Sequence, residues 1–138
     1  QLVQVQQIQA THSAFAAILA DGSVVTWGYP DYGGDSSEVR EQLVRVQQIQ
    51  ATRFAFAAIL ENGSVVTWGD PGYGGDSSQV QEQLVHVQNI AASGFSFAAV
   101  RHDGSVVTWG NPETGGVSSE VQSQLARVQQ IQATHAAF

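Results

Sequence analysis

Asp21-Gly22-Ser23-Val24-Val25-Thr26-Trp27-Gly28 decides the fold, because it returns as Asn62–Gly69 and again as Asp103–Gly110. The tryptophans stand at 27, 68 and 109, a spacing of 41 residues both times. The same offset links Leu2, Leu43, Leu84 and Leu125, and also Ile8, Ile49, Ile90 and Ile131. A fixed period of this length marks a repeat architecture, in which each unit buries its apolar face only against its neighbours. No linker breaks the pattern, so residues 1–138 read as one array: copies 2–42, 43–83 and 84–124, and a partial copy 125–138.

Working outward from the repeated core, each unit divides into four pieces. Val46-Gln-Gln-Ile49-Gln-Ala51 is a short β-leaning segment, Phe54–Leu60 is an apolar strand, and Ser64–Trp68 is a β-branched strand. Between the last two lie Asp21-Gly22, Asn62-Gly63 and Asp103-Gly104, which predict a type I′ turn and hence a hairpin pairing 14–19 with 23–27 and its equivalents. Gly22, Gly63 and Gly104 are thus structural. The fourth piece, Gly33–Leu43, predicts a short helix from Asp35 to Leu43. Asp35 would cap it, Glu38 would complete a capping box, and Val39 and Leu43 would share one face. Equivalent helices are expected from Asp76 to Leu84 and from Ser118 to Leu125. The fold class is therefore mainly β, with three short strands and a short helical segment per unit.

The chain of 138 residues is 43% hydrophobic and only 12% charged, enough apolar content for a packed core. Net charge is −7, from 12 acidic residues against 5 basic ones, all Arg. A polyanionic backbone calls for a basic stripe, so no nucleic-acid partner is expected, and the same holds for an anionic lipid surface. No apolar run approaches the ~20 residues of a membrane helix, so no membrane insertion is expected. With no Cys, no disulfide framework exists and the compartment cannot be read. There is no Met either, and the terminal copies carry no polar capping unit. Both features create the expectation of a processed chain, a piece of a longer array, or copies that assemble end to end.

Chemistry-bearing residues are few. Trp27, Trp68 and Trp109 suit packing between units better than a ligand surface, since an aromatic at the end of an apolar strand supplies much of a small repeat's stability. Asp31, Asp35, Asp70, Asp76 and Glu113 are hard oxygen ligands near glycines, but Asn111 and Val117 break the series, and turn formation explains them better than a metal. His12 and His135 fall at a position that also takes Arg53 and Gly94, and no paired His or Cys ligands exist for zinc. No Gly-x-Ser-x-Gly and no phosphate-binding loop is present. Catalysis needs one asymmetric constellation, and threefold repetition argues against it. No catalytic residue, metal or cofactor is assigned.

The copies differ in their loops. Tyr29 becomes Asp70 and then Asn111; Asp31-Tyr32 becomes Gly72-Tyr73 and then Glu113-Thr114; His12 becomes Arg53. Repeating strands with varying loops point to partner contacts on the loops. The candidate binding residues are Tyr29, Asp31, Tyr32, Arg53, Asp70, Tyr73, Asn111 and Glu113.

The residues Ile8…Ala10, His12…Phe15-Ala-Ala-Ile18 and Asp21-Gly-Ser-Val24-Val-Thr-Trp27-Gly28, recurring at 49–69 and 90–110, resemble the RCC1-type repeat. The resemblance implies blades of a β-propeller. Such domains occur in chromatin-bound nucleotide exchange factors, in HERC-type ubiquitin ligases, and in a secreted β-lactamase inhibitor protein with compact three-stranded blades, the type that the short unit resembles most. Three copies and a stub fall short of a ring of even about four blades, so an open arc of blades or a short solenoid is expected. The functional expectation is a non-enzymatic protein–protein interaction scaffold, with protein partners or further copies of itself. The alternative is a lectin-like repeat protein that binds glycans through Trp and the acidic loops.

Overall fold

The computed structural model describes residues 4–111. They form three separate three-stranded antiparallel meanders: β1 (Val5–Ala10), β2 (Ala14–Leu19) and β3 (Val24–Gly28); β4 (Val46–Ala51), β5 (Ala55–Leu60) and β6 (Val65–Gly69); β7 (Val87–Ala92), β8 (Ser96–Arg101) and β9 (Val106–Gly110). The register repeats from sheet to sheet. Phe15 faces Trp27 across β2 and β3, Phe56 faces Trp68, and Phe97 faces Trp109. The imperfect alternation of the first strand appears as a bulge, with the register shifting between Val5 and Gln7, Val46 and Gln48, and Val87 and Asn89.

The hairpins form where expected, but not through a type I′ turn. That turn needs positive φ at both central residues. Here Gly22 is at φ 83 while Asp21 is not in the left-handed region. The Gly22 amide donates to Leu19 O and the Leu19 amide to Ser23 O, each at 2.9 Å. This is the three-residue loop, a type I turn closed by a left-handed glycine bulge. Ala20 belongs to the turn, so the loop is one residue longer than the Asp-Gly pair alone suggests. Asp21 Oδ1 accepts from the Ser23 amide at 3.0 Å and the Ser23 hydroxyl at 2.6 Å; Asn62 and Asp103 do the same with Ser64 and Ser105.

The helical segments are 3-10 rather than α. They run from Ser37 to Gln42 and from Ser78 to Gln83, and each is preceded by a single turn, Pro30–Tyr32 or Pro71–Tyr73. Asp35 is not the N-cap. That position is Ser36, with no side-chain cap bond, and Asp35 Oδ1 instead accepts from the Ser37 amide at 2.9 Å in a local turn. Asp76 repeats this with Ser78. Six residues are too few to develop α-helical bonding, and a 3-10 turn suits such short pieces. The expected helix from Ser118 to Leu125 lies outside the described residues.

The sheets stack face to face, and the alternation of β5 shows how. Phe56 and Ala58 join Ala14, Ala16, Ile18, Leu43, Val46, Ile49, Val66 and Trp68 in the core between the first two sheets. Ala55, Ala57 and Ile59 join Leu84, Val87, Ile90, Phe97, Ala99, Val107 and Trp109 in the core between the second and third. A strand buried on both faces reads as a continuous apolar run, as Ala55–Leu60 does. The two faces differ in shape. One carries a Phe–Trp pair, with ring centroids 5.3 Å apart in the second and third sheets. The other carries alanines. Large rings set against small residues satisfy close packing.

Backbone and indole bonds lock each junction. Trp68 Nε1 donates to Gly33 O and Trp109 Nε1 to Gly74 O, both at 3.1 Å. Gly33 has φ 103, and a Cβ there would run into the Phe56 ring. Only a glycine lets the carbonyl approach the ring pair of the next sheet. At the other end of the sheets the Val46 amide donates to Gly22 O and the Val87 amide to Gly63 O, each at 2.9 Å. Among the described residues no helix is long and apolar enough to cross a membrane.

Candidate functional site

The end of each β1-type strand, the start of each β2-type strand and the end of each β3-type strand meet at one rim of the array. The loops there are short and closely bonded. The His12 amide donates to Arg53 O at 2.6 Å, and the Arg53 amide donates to Gly94 O at 2.8 Å, so the rim is continuous from sheet to sheet. Thr11 Oγ1 donates to Tyr32 O at 2.9 Å and Thr52 Oγ1 to Tyr73 O at 2.8 Å, which ties each single-turn segment to its own rim loop.

Along this rim the aromatic rings touch in series. Tyr29 and Tyr32 have centroids 4.8 Å apart, Tyr32 and Phe54 4.4 Å, Phe54 and Tyr73 4.6 Å, and Tyr73 and Phe95 5.3 Å. Arg53 lies over Phe95 at 5.5 Å, within cation–π range. His12 meets the edge of Phe54 at 6.1 Å. Tyr29, His12 and Arg53 are exposed, and Tyr32, Phe54, Tyr73 and Phe95 are half-buried. The strip therefore joins Tyr29, Tyr32, Arg53 and Tyr73 from the candidate set. It adds Phe54 and Phe95, which the set lacked. Their signal was present: copy one has Ser13 where the later copies have Phe.

The acidic candidates lie beside the strip. Asp31 and Asp70 line an open cleft of about 650 Å³ between the first two units, together with Asp35, Glu38 and Asp76. Asp70 Oδ1 accepts from the Gly72 amide at 2.9 Å, so part of its capacity serves the local turn. Among the described residues no three His, Cys, Asp or Glu side chains converge as metal ligands. Asn111 is held through its backbone: its amide donates to Phe95 O and its carbonyl accepts from the Ser96 hydroxyl, both at 3.0 Å. Glu113 lies outside the described residues.

The tryptophans divide. Trp68 and Trp109 are buried with their indole N–H groups bonded, so they offer no ring face to a sugar. This removes the aromatic platform of the lectin-like alternative in two of the three copies. Trp27, expected to be packed between units like the others, is exposed and stacks only on Phe15, at 5.4 Å. No described sheet lies against it.

No protein-family model matches the sequence, and no curated protein matches it. Solved structures do. The chain superposes on Prp20p of Saccharomyces cerevisiae with a TM-score of 0.61 at 21% identity, over 84% of this chain and 33% of that one. It superposes on human WBSCR16 with a TM-score of 0.60 at 21% identity, over 93% of this chain and 39% of that one. The ectodomain of the Arabidopsis thaliana receptor kinase ACR4 gives 0.51 at 20% identity, over 78% of this chain and 37% of that one. The chain thus spans about a third of the length of the structures it matches. Three stacked three-stranded meanders, a Trp-Gly strand end in each, and these likenesses together give the chain the fold of RCC1-like propeller blades.

Proposed function

We propose that the chain is a non-enzymatic protein-interaction scaffold whose contact strip is the aromatic rim. The observation that carries this reading is the unbroken run Tyr29–Tyr32–Phe54–Tyr73–Phe95, which crosses three units at the loop end of the sheets. Aromatic side chains with polar tips are the groups that protein interfaces favour, because they bury much area at little conformational cost. Yeast Prp20p, which shares the fold, binds Gsp1p and histones, and it has been solved bound to Kap60. Those partners belong to that protein; what carries over is the use of such blades as a binding platform.

A photo-cross-linking amino acid at position 32 or 73 tests the assignment. In cell extract it should form protein adducts from the rim, whereas the same group at the exposed positions 47 and 88, near the opposite end of the sheets, should not. Equal labelling from both ends, or none from the rim, would remove the support for the strip.

A further inference from the structure

We propose that the outer face of the first sheet is a docking face for a further blade of this repeat type, one that presents an Ala-x-Ala-x-Ile strand beside a glycine carbonyl. The face is apolar and open: Phe15 is 44% exposed and Trp27 45%, while Phe56 and Trp68, the same residues one unit later, are 0% and 5% exposed. Ile8 repeats the contrast with Ile49, at 54% against 0%. Val5 and Val25 extend the open patch along the same sheet. Monomeric proteins rarely leave such rings and branched side chains together in water.

The chain itself shows what fits this face. At the first junction the same knobs are met by Ala14, Ala16 and Ile18, and at the second by Ala55, Ala57 and Ile59. At both, a left-handed glycine carbonyl takes the indole N–H. Among the described residues nothing accepts from the Trp27 indole. The occupant must therefore bring small side chains at alternate strand positions and one bare carbonyl, which is the opposite face of this blade. A second copy of the chain does not qualify. The small face of every described sheet is already covered, with Ala14, Ala57 and Ala98 buried, so a second copy offers knobs but no socket. Two knob faces brought together would leave voids between the rings. The proposal does not rest on the reading of the aromatic rim.

The test lengthens the chain by one further copy of residues 2–42, inserted between Gln1 and Leu2, with Trp27→Phe in the added copy only. In the unmodified chain acrylamide should quench one tryptophan of the three. In the lengthened chain the original Trp27 should lose most of that accessibility, its quenching constant falling several-fold, and its emission should shift to the blue. Far-UV circular dichroism reports whether the added copy folds. Persistent quenching overturns the proposal whether the added copy is folded or not, because the face would then have failed to hold a blade. Concentration-dependent self-association of the unmodified chain that shields Trp27 also overturns it, since the occupant would be a second copy.

Discussion

The aromatic pair of the first sheet, Phe15 and Trp27, and that of the second, Phe56 and Trp68, share residue types, register and cross-strand pairing. One pair lies open and the other is sealed beneath the alanine face of its neighbour. The difference arises one sheet away. In a repeat array burial belongs to the junction and not to the residue, so identical side chains carry different energetic weight according to what stands before them.

Truncation should expose this most sharply. Phe56→Ala removes a fully buried ring and should cost about 3–5 kcal/mol of unfolding free energy, the range for deleting a core aromatic. Phe15→Ala, at the matching position, should cost under about 1 kcal/mol, because half of its ring is already solvated. Urea denaturation of the two variants measures the gap, and equal costs would break the comparison.

A smaller effect should be the same in both units. Gly22 and Gly63 sit at φ 83 and 84, each with its turn set against the backbone of the following unit, at Arg45 and His86. An alanine at either position pays for the left-handed conformation, about 1–2 kcal/mol before any clash is counted. Equal losses for Gly22→Ala and Gly63→Ala would confine the asymmetry to the open sheet face. Unequal losses would extend it to the turns.

The smallest effect is a titration. The Ser23 hydroxyl, and then its amide, hold the Asp21 carboxyl below its ordinary range, and Ser105 does the same for Asp103. A carboxylate whose folded pKa is depressed contributes stability above its unfolded pKa and loses it as pH falls through the folded value. The amide resonances of Ser23 and Ser105 should therefore titrate below about pH 4. That of Ser64 should stay flat, because Asn62 makes the same two bonds without ionising. Movement at Ser64 would show that the turns do not report on their own acceptors.

Much of this fold could be read in advance because its signals are local and repeated. Gly22 marks a left-handed corner, Val24-Val25-Thr26 can only be extended, and the period of 41 sets the unit. What escaped depended on neighbours or on fine geometry. Asp-Gly alone does not separate a two-residue turn from a three-residue one; the Leu19–Ser23 bond does. Asp35 followed by Glu38 resembles a capping box, yet the segment is too short to be an α-helix and the aspartate closes its own turn. The rim showed itself only in part, since the varying loops yielded the tyrosines. Phe54 and Phe95 counted as strand residues until the loop contacts placed them among the tyrosines.

The indole-to-glycine bond spans 35 residues at both junctions, and the turn-to-strand bond joins Gly22 with Val46 and Gly63 with Val87. Every boundary is thus written in the same pairs. Excising any 41-residue segment that begins and ends at equivalent positions brings Gly33 against the former Trp109, and the joint that forms is chemically the one that was removed. Unequal recombination can therefore lengthen or shorten such a gene without inventing an interface. A deletion of 40 or 42 residues has no such licence, because it shifts the alternation by one and turns the alanine face of a strand outward.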